Sequence, residues 1–276
     1  MARIAVQQLA PVIGDLDANR ALTLDAIREA AHAGADVVVL PELVTSGYAF
    51  TSAQEAAATA IGTGHRILRE WAAEAARADL VVIGGFCERG EDGNTYNSAA
   101  ILDAGGLRAV YRKLHLWDGE KRLFTAGDAA PPVVATRVGR VAVVVCYDLE
   151  YPELTRCVAL AGADLLAVPT NWPLGPRPEG EHPPETVIAM ATARMNRMAV
   201  ACSDRLGTER GQAWTGGSAI VGVDGWVAAQ TREVGMIVAD VDLAAARDKR
   251  LTGLAHAFDD RRPELYGSVA SPSGAF

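Results

Sequence analysis

Val141-Ala-Val-Val-Val-Cys146-Tyr-Asp-Leu-Glu-Tyr-Pro152-Glu153 decides how this chain folds. Five apolar residues, four of them β-branched valines, suit a strand buried on both faces and ending on a cysteine. A polar turn follows. Pro152 then suits the first turn of a helix, where its missing N–H would be unpaired anyway. A strand-to-helix corner of this kind can present a nucleophile at the end of a sheet, with backbone N–H groups beside it. A lone cysteine is more often a small core residue, so the weight rests on what the other strand ends carry.

Working outward, Arg3–Leu9 reads as a first strand broken by Pro11 and Gly14, and Asp15 or Asp17 can cap a helix running to about Ala33. Asp36–Leu40 is a short buried strand, and Gly64–Arg77 a second helix with Ile67, Leu68 and Trp71 inward. Leu80–Ile83 is a strand, Gly84-Gly85 a turn, and 96–102 and 107–114 a hairpin joined by Ala104-Gly-Gly106. Beyond a turn at Gly139-Arg140 and the central strand come a helix over 152–161, a strand over 163–168 and a proline-rich loop over 173–184. A helix over 185–197 and strands at 198–202, 218–221, 226–229 and 235–239 follow, then a short helix over 243–251 and a loose tail from about Ser268. Alternation, hairpins and alternation again predict two sheets, or one large mixed sheet, with helices outside. No linker splits the chain, so residues 1–276 read as one domain.

The totals narrow the function. Half of the residues are hydrophobic, which argues against disorder, and the net charge of -8 argues against a nucleic-acid partner. No His or Cys pair has metal-ligand spacing. The four cysteines, Cys87, Cys146, Cys157 and Cys202, are scattered and read as free thiols in a reducing compartment. There is no signal-peptide pattern and no apolar run of membrane-spanning length, so the expectation is a cytoplasmic protein without membrane contact.

Three polar groups follow buried strands: Glu42 after Val37–Pro41, Lys113 after Ala109–Arg112, and Cys146 after Val141–Val145. Singly, each charge reads as a solvated loop residue. Converging at strand carboxyl ends, they form a working set. Glu42 can take the thiol proton and later activate water. Lys113 and the Tyr147 N–H can stabilise an oxyanion, and a cation beside the thiol is expected to lower its pKa.

These segments resemble the nitrilase, or carbon–nitrogen hydrolase, superfamily. The resemblance rests on Leu40-Pro-Glu42-Leu, Tyr111-Arg-Lys113-Leu-His115-Leu, Glu120-Lys-Arg-Leu-Phe124, Val145-Cys146-Tyr-Asp148, Pro169-Thr-Asn171-Trp172-Pro173 and Asp259-Asp-Arg-Arg-Pro263-Glu-Leu-Tyr266, in that order from Arg3 to Tyr266. It implies a four-layer αββα sandwich that pairs as a homodimer. It implies Glu42 as general base, Lys113 as oxyanion stabiliser, Cys146 as nucleophile and Glu120, with Asp118 as fallback, as the second acid that positions the lysine. It implies a thioester intermediate and no cofactor. Two positions depart from the family pattern: Met195 stands where an acid is common and Asp204 where asparagine is common.

Substrate class is read from the residues beyond the cysteine. Tyr147-Asp148 matches amide-cleaving members, whereas nitrile-cleaving ones usually carry Trp-Glu. Carboxylate-binding relatives place arginine just beyond, where this chain has Leu149 and Glu150. The expectation is therefore a thiol amidase for a small neutral or cationic carboxamide, with Tyr48, Trp117, Tyr147, Asn171 and Trp172 as substrate-binding candidates. A nitrilase or an N-carbamoyl amide hydrolase is the alternative, and a non-catalytic binding member the remote one. His115, placed by strand alternation on the face of Lys113, reads as a structural hydrogen-bonding residue. Glu209–Gly211 and Trp214–Ser218 read as a loop leading into a strand; whether it closes over the site the sequence does not decide.

Overall fold

The computed structural model describes residues 1–271. Its first half runs β1 (Ala2–Gln8), α1 (Leu16–His32), β2 (Val37–Val39), α2 (Ala53–Thr59), α3 (Arg66–Ala78), β3 (Val81–Arg89), β4 (Thr95–Asp103) and β5 (Gly106–Arg112). The second half runs β6 (Val133–Thr136), β7 (Gly139–Val143), α4 (Pro152–Leu160), β8 (Leu165–Pro169), α5 (Pro184–Asn196) and β9 (Ala199–Ser203). It ends with β10 (Thr208–Glu209), β11 (Gln212–Ala213), β12 (Ala219–Val221), β13 (Val227–Gln230) and β14 (Gly235–Val241). Two six-stranded sheets result, in the orders β14-β1-β2-β3-β4-β5 and β13-β12-β9-β8-β7-β6, with β10 and β11 as a separate ribbon.

Period-two alternation builds the layers. Along the first sheet, Ile4, Val6, Val37, Val39, Val81, Ile83, Ala99 and Ile101 share one core with residues 141–145 and 165–168 of the second sheet. Their neighbours Ala5, Val38, Val82, Ala100 and Leu102 share another with Ile27 of α1 and Ile67, Leu68 and Trp71 of α3. The inter-sheet core also takes in Val158 of α4 and Ala189 and Ala193 of α5. The layers are thus helix, sheet, sheet, helix: the expected αββα sandwich. The apolar runs Val37–Val39 of β2 and Val141–Val143 of β7 are unbroken because both of their faces are covered.

Helix ends follow local chemistry. Asp15 caps α1 by accepting from Ala18 N, and Pro152 occupies the first turn of α4. Trp71 Nε1 donates to Thr23 Oγ1 at 3.0 Å and ties α3 to α1.

Several local expectations are corrected. Gly84-Gly85 is no turn; β3 runs through it to Arg89. A Cβ on Gly84 would lie 2.8 Å from the Trp71 ring, and one on Gly85 2.5 Å from Leu43 N, so close packing requires both glycines. Gly139-Arg140 begins β7 instead of preceding it, because β6 pairs there across Arg137-Val138. The helix expected over 243–251 is a single 3₁₀ turn, Leu243–Arg247. Of the tail, Gly267–Ala270 forms a 3₁₀ turn, and residues 272–276 lie outside the described residues. Helix α2 and strand β6 were not expected.

Candidate active site

The parallel strands β2, β7, β8 and β9 deliver their carboxyl ends toward one place. Glu42 follows β2, Cys146 follows β7, Asn171 and Trp172 follow β8, and Asp204 follows β9. Lys113 follows β5 directly. Two of these segments carry unusual backbone: Leu43 has φ +46° and Cys146 φ +48°, in the left-handed region that side chains disfavour. Strain of this kind persists where the surroundings hold it in place and is frequent at functional sites. Cys146 thus opens a tight 3₁₀ turn, Cys146–Glu150, and the Tyr147 N–H has no acceptor among the described residues.

Glu42, Lys113 and Glu120 are buried and form one ionic cluster. Lys113 Nζ donates to Glu42 Oε1 at 2.7 Å and to Glu120 Oε1 at 2.9 Å. Glu120 is held in turn by Trp117 N, which donates to its Oε2 at 2.9 Å. Asp118, the fallback, is exposed, so the acid beside the lysine is Glu120. Burial opposes charge on Lys113, but the two carboxylates overcome this and hold the ammonium above the ordinary lysine range. Burial pushes Glu42 up to about 7, with Lys113 opposing and Glu120 adding to the shift. Glu42 Oε2 has no hydrogen-bond partner among the described residues.

The thiol departs from expectation. Lys113 does act to lower the Cys146 pKa, but burial, with Glu42 adding to it, outweighs the cation and holds the thiol well above its ordinary value. The direction of that shift favours the protonated thiol as the resting group.

Tyr48 sits at this cluster: burial, then the charges of Glu120, Glu42 and Cys146, push its hydroxyl well above the ordinary range. Its ring meets Trp214 edge-on at 5.1 Å. Trp117 and Tyr147 also meet edge-on, at 4.8 Å, with Trp117 partly exposed. Asn171 is buried and donates through Nδ2 to Glu42 O at 3.0 Å, which fixes the Glu42 backbone. Trp172 is buried, and its N–H donates to Asp204 Oδ1 at 2.9 Å. His115 lies beyond the end of β5, so strand alternation does not orient it. Its Nδ1 lies 2.8 Å from Asp148 Oδ1, and its ring stacks on Tyr151 at 3.5 Å.

Four supports stand around this cluster; sequence reading missed Asn97 altogether and named Asp148, Glu209 and Asp204 without the bonds they make. Asn97 of β4 donates to Glu42 Oε1 at 2.7 Å. Asp148 accepts from Tyr111 Oη, His115 N and Val145 N, which fastens the cysteine turn to the lysine segment. Glu209 accepts from Tyr48 N and from Arg205 Nη1, at 2.9 Å each, so the β10–β11 ribbon is anchored to the Tyr48 loop. Asp204 accepts from Trp172, Arg205 and Gly217 N–H groups. Burial nonetheless pushes Asp204 up to about 7. Polar residues inside otherwise apolar strands or at their ends were the available signal. Met195 is half exposed at the end of α5 and takes no part in this cluster.

The family model of the carbon–nitrogen hydrolases matches residues 3–251. The chain is 34% identical over 274 residues to a nitrilase of Pyrococcus abyssi, covering 96% of this chain and 99% of that one. It is 30% identical to the N-carbamoylputrescine amidase of Arabidopsis thaliana, covering 94% and 92%. Among solved structures, the NitN amidase of Neterenkonia sp. AN1 superposes with a TM-score of 0.77 at 27% identity, covering 98% of this chain and 100% of that one. A variant of that amidase carries the acetamide moiety of fluoroacetamide added covalently at its active-site cysteine. Fold, site and these likenesses define a carbon–nitrogen hydrolase. The chain belongs to that family, the nitrilase superfamily, within which it is an enzyme.

Proposed function

We propose that this enzyme is a thiol amidase that converts a small neutral or cationic carboxamide to a carboxylic acid and ammonia. One observation carries the reading: Glu42 offers an unpaired buried oxygen, Oε2, while its other oxygen is tied to Lys113. A carboxylate pushed up to about 7 is matched to proton transfer near neutral pH.

In the proposed cycle the Cys146 proton passes to Glu42 as sulfur attacks the carbonyl carbon. The oxyanion is stabilised by Lys113 Nζ and the Tyr147 N–H. Glu42 returns the proton to the leaving nitrogen, ammonia departs, and a thioester remains on Cys146. Water attacks the thioester as Glu42 takes its proton, and collapse of the second oxyanion expels the Cys146 sulfur, which regains the proton. Glu120 positions Lys113 and keeps it charged. Tyr48, Trp117, Tyr147, Asn171 and Trp172 are the proposed binding residues.

The absence of arginine at Leu149 and Glu150 supports a substrate without a carboxylate. Glu150 is itself pushed up by partial burial and by Glu185 nearby, so an anionic group there would meet like charge. The N-carbamoyl alternative draws support from the Arabidopsis relative's name. The proposed assembly is a homodimer, checked by sedimentation. The proposed setting is the cytoplasm, which suits four free cysteines; no described helix is long and apolar enough to cross a membrane. Ammonia release from matched amides, nitriles and N-carbamoyl compounds tests the substrate class, with Cys146→Ala as the blank. Release chiefly from neutral or cationic amides is expected; release chiefly from nitriles would overturn the amidase reading.

A further inference from the structure

Asn97 lies in the middle of the buried ionic cluster, yet it carries no charge and no part in the cycle above. It belongs to β4, opposite Cys87 of β3, and is buried. Its Nδ2 lies 2.7 Å from Glu42 Oε1 and 3.4 Å from Glu120 Oε1. Its backbone oxygen accepts from Lys113 N at 2.9 Å. The amide can face two carboxylates only through its NH₂ group, since turning its oxygen toward them would set acceptor against acceptors. Asn97 therefore supplies the cluster with a second donor that cannot lose a proton.

We infer that Asn97 is a positioning residue that sets the proton affinity of Glu42 and selects Oε2 as its working oxygen. The inference rests on the reading of Glu42 as the general base. Lys113 and Asn97 both bond Oε1, which leaves only Oε2 to take a proton. A hydrogen bond to the ionised carboxylate favours that form, so Asn97 holds Glu42 lower than burial and Glu120 alone would. The other ionisable groups acting at this point are Lys113, Glu120, Cys146, Tyr48 and Arg205. Asn97 has no charge with which to offset their effects, so it contributes through geometry and one neutral donor.

The test is the pH profile of kcat/KM on the best amide substrate, for wild type, Asn97→Ala, Asn97→Ser and Glu42→Gln. Removing the donor is expected to move the acid limb upward by about one pH unit, so that activity at pH 6.5 falls about sixfold further than at pH 8.5. Limb position does not depend on the fraction of protein that is folded, so a poorly folding variant still reports it. Peptide-resolved alkylation of Cys146 by iodoacetamide across the same pH range gives a second readout if turnover is too low, and its limb is expected to shift likewise. Reduced rates with an unmoved limb in both Asn97 variants would overturn the inference and leave Asn97 a structural residue. An active Glu42→Gln variant with the wild-type acid limb would instead remove the general-base reading, and this inference with it.

Discussion

A part-buried and a fully buried polar cluster stand back to back on the first sheet. On one face Glu88, Ser98 and Arg112 meet: Arg112 Nη2 donates to Glu88 Oε1 at 2.6 Å and Ser98 Oγ to Glu88 Oε2 at 2.6 Å. Asn97 and Lys113, one residue along β4 and just past β5, point to the opposite face and meet Glu42 and Glu120. The first cluster balances one cation with one acid, and both acid oxygens are occupied. The second sets one ammonium against two carboxylates and leaves Glu42 Oε2 unpaired. The two differ in burial, since the Arg112 side chain is 31% exposed while those of Lys113 and Glu42 are enclosed, and the cluster proposed as reactive also has excess acid and an open acceptor.

The largest expected contrast comes from removing each cation. Lys113→Met leaves two buried carboxylates facing each other and is expected to lower stability by about 3–5 kcal/mol in chemical denaturation; Arg112→Met leaves Glu88 with Ser98 alone, but its part-exposed guanidinium is screened by solvent and its loss is expected to cost less. On the proposed cycle only Lys113→Met should impair chemistry, lowering kcat by about 10³-fold through loss of the proposed oxyanion donor, with the Arg112 variant within about threefold of wild type once folded. Equal losses of kcat would dissolve the distinction.

Gly85→Ala comes next. Its Cβ would lie 2.6 Å from Glu42 Cα, so the base must move. Steady-state kinetics should show kcat reduced about 10²-fold, with KM changed less. The same change at Gly105, where a Cβ meets nothing closer than the Asp103 side chain at 3.1 Å, is expected to be near neutral.

The pH dependence sharpens the comparison further. In the proposed cycle Glu42 is ionised to accept the thiol proton, so kcat/KM should fall about tenfold per unit below about pH 7. Glu88→Gln should leave that limb in place, and a moved limb would couple the two faces.

The smallest effect concerns stability. Glu42 and Asp204 both have folded-state pKa values pushed up to about 7, above the values of an unfolded chain. The folded state therefore holds more protons between pH 4 and 7. The stability these two groups contribute is complete below the unfolded values and is lost as pH rises through about 7. Thermal melts should drop by a few degrees from pH 5 to pH 8 through these groups, and Glu42→Gln should flatten part of that drop.

Most of the layering was legible because apolar runs and alternation report burial directly. β3 was read too short because a glycine pair resembles turn chemistry; only the Trp71 ring and the Glu42 loop, distant in sequence, explain it. Helix α2 did have a signature: Ser52 accepts from Glu55 N, while Glu55 reaches back to Thr51 N. Glu42, Lys113 and Cys146 were legible because each follows a strand, whereas Glu120, inside a 3₁₀ turn, was legible only through the resemblance. Asn97 was not, since an asparagine between Tyr96 and Ser98 has no local mark of its long-range partners. The Cys146 pKa was misjudged because a sequence names the cation but not the depth of burial that outweighs it.

The most direct test of the account is the mass of the enzyme during turnover. Wild type mixed with an amide substrate, quenched in acid within milliseconds and digested, should carry the acyl group on the Cys146 peptide, with ammonia release matching its formation. Ammonia release without an adduct at Cys146, and undiminished in Cys146→Ala, would contradict it.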